Sequence, residues 1–308
     1  MEEKALRLSA VFLMILTAVS FVLLPKLPAL HTWEVEAREE RIAEEEFAQS
    51  QVTMQNLKIK EQNEAAGAKG ELSIRLPEGV TGDQIAVSND YVTQTIRVEI
   101  PQADRTYFDS YPVLGKSDYI DGLSYTRQGE MGVIEVTTNK VYELQTEYDA
   151  QNFYFNFLTP HEVYDKVVVI DAGHGGRAVG ANKQGINEKD IDLAIVLKLK
   201  EIFDNSDQNI GVYYTRTDDS NPTFDQRVQL ANKSDADLFI SIHNNSTRSG
   251  RMSGTSGTQV MYDETSEASR QFAQICLEEV TGRIGSRDKG LVEGDSIYII
   301  RTSEVPVA

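Results

Sequence analysis

The chain has 308 residues, 40% hydrophobic and 25% charged, which is long enough for two folded units with connecting segments and a sizeable core. With 48 acidic against 30 basic residues, its formal charge of −18 repels phosphate backbones, so nucleic acid is excluded as an expected partner. Its one cysteine, Cys276, excludes an intramolecular disulfide and a multi-thiolate metal site.

Residues 1–32 contain an uncharged 18-residue stretch, Leu8–Pro25, preceded by Lys4 and Arg7. As a helix it reaches roughly 27 Å, close to the hydrocarbon thickness of a bilayer. Basic residues before it and a glutamate-rich stretch after it (Glu34, Glu36, Glu39, Glu40, Glu44, Glu45, Glu46) predict an inside amino terminus with the remainder exported. No small-x-small cleavage site is apparent, so a transmembrane signal anchor is preferred over a removed signal peptide. The expected location is the cell membrane, with the bulk on the extracytoplasmic side.

Residues 33–70 are polar and acidic, have too sparse a heptad signal for a coiled coil, and end in a small-residue run. They read as a solvated stalk. Between 71 and 160, short alternating runs separated by turns predict an all-β, sandwich-like module. Ile96, Val98 and Ile100 share one face of a strand, as do Phe153, Phe155 and Phe157. No cluster of histidines, cysteines or paired carboxylates gives that module chemistry, so it reads as a spacer or binding module.

From 161 to 308 the texture becomes α/β, with a mostly parallel sheet flanked by helices. Val167–Ile170 is a continuous apolar run, as expected of a strand covered on both faces. A helix is expected from an Asn187 cap, burying Ile191, Ile195 and Leu199. Gly211–Thr215 and Leu238–Ile242 read as strands and Gln226–Asn232 as helical. Further on, Phe272, Cys276 and Val280 recur every fourth position, which predicts a buried helical face with Cys276 as a small core residue.

His174 and His243 occupy equivalent places, each just beyond a predicted parallel strand, where sites of open α/β sheets gather. If those strands are near neighbours the two imidazoles converge, and Glu188 at the start of the following helix can supply an oxygen. Two His and one Glu suit a hydrolytic zinc site with a fourth position left for water. Gly173, Gly175 and Gly176 let the backbone turn sharply and approach a ligand without a Cβ. Asp171 fits either of two roles, holding an imidazole or capping its strand. Each residue also has a plain structural explanation: strand-end histidines are often structural, and a glutamate in a first helical turn is favoured by the macrodipole. Arg177, Arg216, Arg227, Asn244 and Asn245 lie near the site in sequence without an assigned role.

The segments VVIDAGHGG (Val168–Gly176), INEKDIDLAI around Glu188, YTRTD (Tyr214–Asp218), RVQLAN (Arg227–Asn232) and DADLFISIHNN (Asp235–Asn245) resemble the zinc-dependent N-acetylmuramoyl-L-alanine amidases of the amidase-3 type. The resemblance implies Zn2+ held by His174, Glu188 and His243, and hydrolysis of the amide joining N-acetylmuramic acid to the L-alanine of the peptidoglycan stem peptide. The family carries a second glutamate, its presumed general base, in a terminal segment whose opening Val305–Ala308 resembles. That glutamate is therefore expected beyond Ala308, the domain is expected to be C-terminally incomplete with an exposed sheet edge, and no catalytic residue is assigned. The upstream β module resembles wall-targeting modules, without a motif. A non-catalytic wall-binding protein is the alternative reading. A non-haem iron oxygenase, which also uses two His and a carboxylate, fits the α/β pattern poorly.

Overall fold

In the computed structural model, residues 27–61, 69–244, 254 and 256–308 are described, and of residues 27–33 only the backbone. The first element among the described residues is a 24-residue helix, α1 (Leu27–Ser50). The stretch read as an open stalk is therefore helical over much of its length. Its alanines, glutamates and arginines are strong helix formers, and propensity carries the segment although no apolar stripe announces it. The proposed membrane span, Leu8–Pro25, lies outside the described residues, among which no helix is long and apolar enough to cross a membrane.

After α1 come β1 (Gln55–Asn56), β2 (Lys60–Glu61), β3 (Leu72–Arg75), β4 (Ala86–Asp90), β5 (Thr95–Pro101), a short helix α2 (Arg105–Ser110), β6 (Leu114–Gly115), β7 (Ile120–Gln128), β8 (Met131–Thr138), β9 (Glu143–Tyr148) and β10 (Asn152–Leu158). They form two five-stranded sheets, ordered β1-β7-β8-β5-β4 and β2-β6-β3-β10-β9. One core joins the sheets: Ile96, Val98 and Ile100 of β5 meet Phe153, Phe155 and Phe157 of β10. Alternation places these six inside, because successive strand residues face opposite sides. The segment holding β1 and β2 belongs to the sheets, where the sequence suggested linker.

A turn of helix, α3 (Pro160–Val163), leads into β11 (Lys166–Ala172), the short hairpin β12 (Asn182–Lys183) and β13 (Ile186–Asn187), α4 (Glu188–Asp204), β14 (Ile210–Tyr214), α5 (Phe224–Lys233), β15 (Leu238–Ile242), β16 (Thr258–Tyr262), α6 (Glu267–Ile284), β17 (Asp288–Glu293) and α7 (Tyr298–Thr302). β11 lies between β14 and β15, parallel to both, and β16 pairs with β17 in a separate parallel ribbon. The far edge of β15, expected to be open, carries the backbone of Pro306–Ala308: Phe239 N donates to Pro306 O at 2.8 Å and Ser241 N to Ala308 O at 2.9 Å.

Two helical faces differ from expectation. On α4 the buried positions are Glu188, Lys189, Asp192 and Val196, while Ile191 and Ile195 are exposed. On α6 the buried positions are Ser269, Ala273 and Leu277, so Cys276 flanks the core face, and burial still pushes its thiol pKa up to about 11.

Candidate metal centre

Because β11 and β15 are hydrogen-bonded neighbours with Ala172 opposite Ile242, the loops leaving their carboxyl ends start side by side. His174 sits in the first loop and His243 at the start of the second, with ring centroids 4.8 Å apart. Glu188 is the first residue of α4, which packs against β11 and begins at the same edge. The structure thus brings together all three residues singled out in the sequence. His174 Nε2 lies 3.3 Å from Glu188 Oε1, His243 Nδ1 lies 3.2 Å from the same oxygen, and the two ring nitrogens are 3.2 Å apart.

Those separations bear on the donor set's fitness for a metal. Ligand atoms about 2.0–2.2 Å from a tetrahedral zinc are separated from one another by about 3.3–3.6 Å, so three donors at 3.2–3.3 Å already lie close to the edges of such a cage. Asp192 adds a fourth donor, the second carboxylate, and one donor atom from each of His174, Glu188, Asp192 and His243 lies within 4.8 Å of the others. Sequence reading missed Asp192. Its signal was the four-residue step from Glu188, which places both on one helix face. Asn244 Nδ2 donates to Asp192 Oδ1 at 2.7 Å, while Oδ2 is buried without a partner, the kind of orphaned acceptor a cation satisfies.

Electrostatics follow from crowding donors in one crevice. Burial opposes the charged form of His174, but the carboxylates of Glu188 and Glu39 outweigh it and raise its pKa to about 9. Burial likewise opposes ionisation of Glu188, and His174 and His243 overcome it, holding the carboxyl below its usual range. Asp192 is pushed up to about 6, chiefly by burial.

Backbone and buried charge aim the donors. Ala181 N and Asn244 N donate to the two Glu188 oxygens at 2.7 and 2.8 Å. His174 has φ 60°, an uncommon conformation for a residue with a Cβ. A Cβ on Gly173 would run into the His243 ring, and one on Gly180 would meet His174 and Glu188, so the close approach expected of a glycine holds at Gly173. Arg227 donates to the carbonyl oxygens of Ala172 and His174 and to Pro222 O, and pairs with Asp171 at 2.6 Å. Arg216 donates to the carbonyls of Ala172, Gly173 and Lys189. Both guanidiniums are buried and shape the loop. Asp171 takes neither of its two suggested roles: its oxygens accept from Arg227, Thr215 and Ser241. Glu304 is exposed and outside the group.

Comparison with known proteins places this part of the chain. Residues 168–308 match the family described as N-acetylmuramoyl-L-alanine amidase. Protein YqiI of Bacillus subtilis is 37% identical over 46% of this chain and 66% of its own length. N-acetylmuramoyl-L-alanine amidase CwlM of Bacillus licheniformis is 31% identical over 45% of this chain and 53% of its own. The chain therefore spans less than two thirds of either curated relative. A crystal structure of N-acetylmuramoyl-L-alanine amidase from Clostridium difficile 630 is 32% identical, covering 46% of this chain and 76% of that one, with a TM-score of 0.43. Residues 168–308 thus make up an amidase-3 type domain, matching the family described as N-acetylmuramoyl-L-alanine amidase.

Proposed function

We propose that the protein is a peptidoglycan amidase that hydrolyses the amide between the lactyl group of N-acetylmuramic acid and the L-alanine of the stem peptide. The reading is carried by one observation: His174 Nε2, His243 Nδ1 and Glu188 Oε1 face one another at 3.2–3.3 Å on the carboxyl edge of a parallel sheet. These three residues are the proposed zinc ligands. Zinc there supplies Lewis acidity, which polarises a carbonyl and activates water near neutral pH. The chain's own part is preorganisation. Ala181 and Asn244 fix both oxygens of Glu188, and Arg216 and Arg227 hold the carbonyls beneath the His174 loop so that the imidazole keeps its aim. In the hydrolysis, water's oxygen joins the lactyl carbonyl carbon, the C–N bond breaks, and the proton goes to the departing alanine nitrogen. No general base is assigned among the described residues.

Purified protein should bind one zinc per chain and free alanine amino termini from purified cell wall, and His174→Ala should lose both. Zinc-dependent adhesion to wall without new amino termini would instead favour a wall-binding protein, and preferential iron loading would sink the zinc assignment. As part of this reading, Leu8–Pro25 is the proposed membrane anchor, the bulk of the chain is extracytoplasmic, and the β sandwich is a wall-facing module.

A further inference from the structure

The five acidic side chains that α1 turns towards the α/β domain and its edge, Glu36, Glu39, Glu40, Glu45 and Glu46, are not arranged at random. Glu36 Oε1 accepts from Tyr298 N at 2.8 Å and Glu40 Oε2 from Phe224 N at 2.6 Å, so each meets the exposed N–H at the start of a helix. Glu46 accepts from Arg177 N and Nε, both at 3.0 Å, and from Asn221 Nδ2 at 3.0 Å, and Glu45 pairs with Arg177. A Cβ on Gly176 would press to 2.6 Å from Glu46 Oε2, so the glycine makes room for the helix. Ala43, between these contacts, is 2% exposed. These contacts fix α1 across the carboxyl edge of the sheet and leave Glu39 Oε1 3.3 Å from His174 Nδ1.

The two nitrogens of His174 then have different surroundings. Nε2 faces Glu188 and His243 within the donor cage. Nδ1 is buried and has no hydrogen-bond partner among the described residues, the nearest carboxylate oxygen given for it being Glu39 Oε1 at 3.3 Å. A neutral imidazole that offers a lone pair at one nitrogen carries its proton on the other, and a buried N–H without an acceptor is costly. Metal-ligating histidines usually donate that second N–H to a carboxylate, which fixes ring and tautomer. We infer that Glu39 is a positioning residue for His174: from a helix outside the α/β domain it accepts the Nδ1 proton and so commits Nε2 to the metal. The contact stands at ion-pair distance and off the N–H axis, so loading of the cage is expected to tighten it. The inference rests on the metal reading for its purpose but not for its test.

Nitrogen-15 spectra of the histidines in the metal-free full-length protein should show His174 protonated at Nδ1 with neutral Nε2 at a pH high enough to neutralise the ring. Glu39→Ala should mix the tautomers, while Glu39→Gln, whose carbonyl oxygen can still accept, keeps the native pattern. Chelator competition should find zinc bound about 10–100-fold more weakly by Glu39→Ala, with partial recovery in Glu39→Gln and no change in Glu44→Ala, an exposed position on the same helix. Unchanged ring signals and zinc affinity in Glu39→Ala would overturn the inference. So would unchanged affinity with faster turnover, which would make α1 a cover over the crevice. If the wild type binds no zinc, the metalloenzyme reading fails while the spectra still decide the role of Glu39.

Discussion

Asp171 and Arg227 form an ion pair whose side chains are 1% and 2% exposed, directly beneath the loop that carries His174. Burial opposes the charge on Asp171, but Arg227, Ser241 and Thr215 overcome it and lower its pKa from 3.8 to about 2. A carboxyl held below its unfolded value contributes stability that is fully present above about pH 4 and is lost as the pH falls through 2. Asp171→Asn strands the guanidinium, at an expected cost of about 3–5 kcal/mol at pH 7. Urea titrations should show that gap narrowing between pH 4 and pH 2, because only the wild type loses a carboxylate there, and a gap constant across that range would refute the account. Sequence could locate Asp171 and Arg227 but not join them, since they are 56 positions apart and nothing local announces a buried pair. The histidines and Glu188 were legible for the opposite reason: each occupies the end of an element whose pattern could be read locally, and strand adjacency did the rest.

At the scale of elements, α4 shows how chemistry displaces hydrophobic patterning. Periodicity pointed to Ile191, Ile195 and Leu199 as the inner stripe, yet the helix turns Glu188, Asp192 and Val196 inward. Two of the four positions on that face serve the donor cage, so the apolar count on the stripe was a poor guide to orientation. Val196, at 0% exposure, packs with Ile170 and Ala172, and Val196→Ala should cost about 2 kcal/mol for the methyl groups withdrawn. Ile195, at 40% exposure, should accept lysine within about 0.5 kcal/mol. Chemical denaturation of the two variants checks the orientation, and the reverse ranking would contradict it. α6 repeats the lesson by a single step, its inner face being Ala273 and Leu277 beside the expected Cys276. The sandwich strands were read more accurately, because period-two alternation has only two solutions and the phenylalanines of β10 settle which face is inside.

Across the whole molecule, the sandwich and the α/β domain share more than a linker. Val141, on the approach to β9, is buried in the core of the α/β domain. Tyr213 and Tyr91 donate to opposite oxygens of Glu143, at 2.6 and 2.9 Å, and their rings meet edge to face. Such contacts, and the docking of α1, join residues 52 to 262 positions apart and leave no periodic trace for a sequence reading to follow. The proposed anchor belongs at this scale. Cell fractionation should recover the full chain with membranes, and removal of residues 1–26 should release it to the soluble extracytoplasmic fraction. Release of both forms alike would refute the anchor.

The hydrogen bond from Tyr298 N to Glu36 spans 262 positions, and those to Glu40 and Glu46 span up to 184. Loop closure over such distances is entropically slow, and docking of α1 cannot be completed until its most distant partner, Tyr298, has left the ribosome. α1, made before every other described element, is therefore among the last to find its seat. A chain whose α1 has not yet docked would hold its imidazoles without the carboxylate of Glu39 behind them.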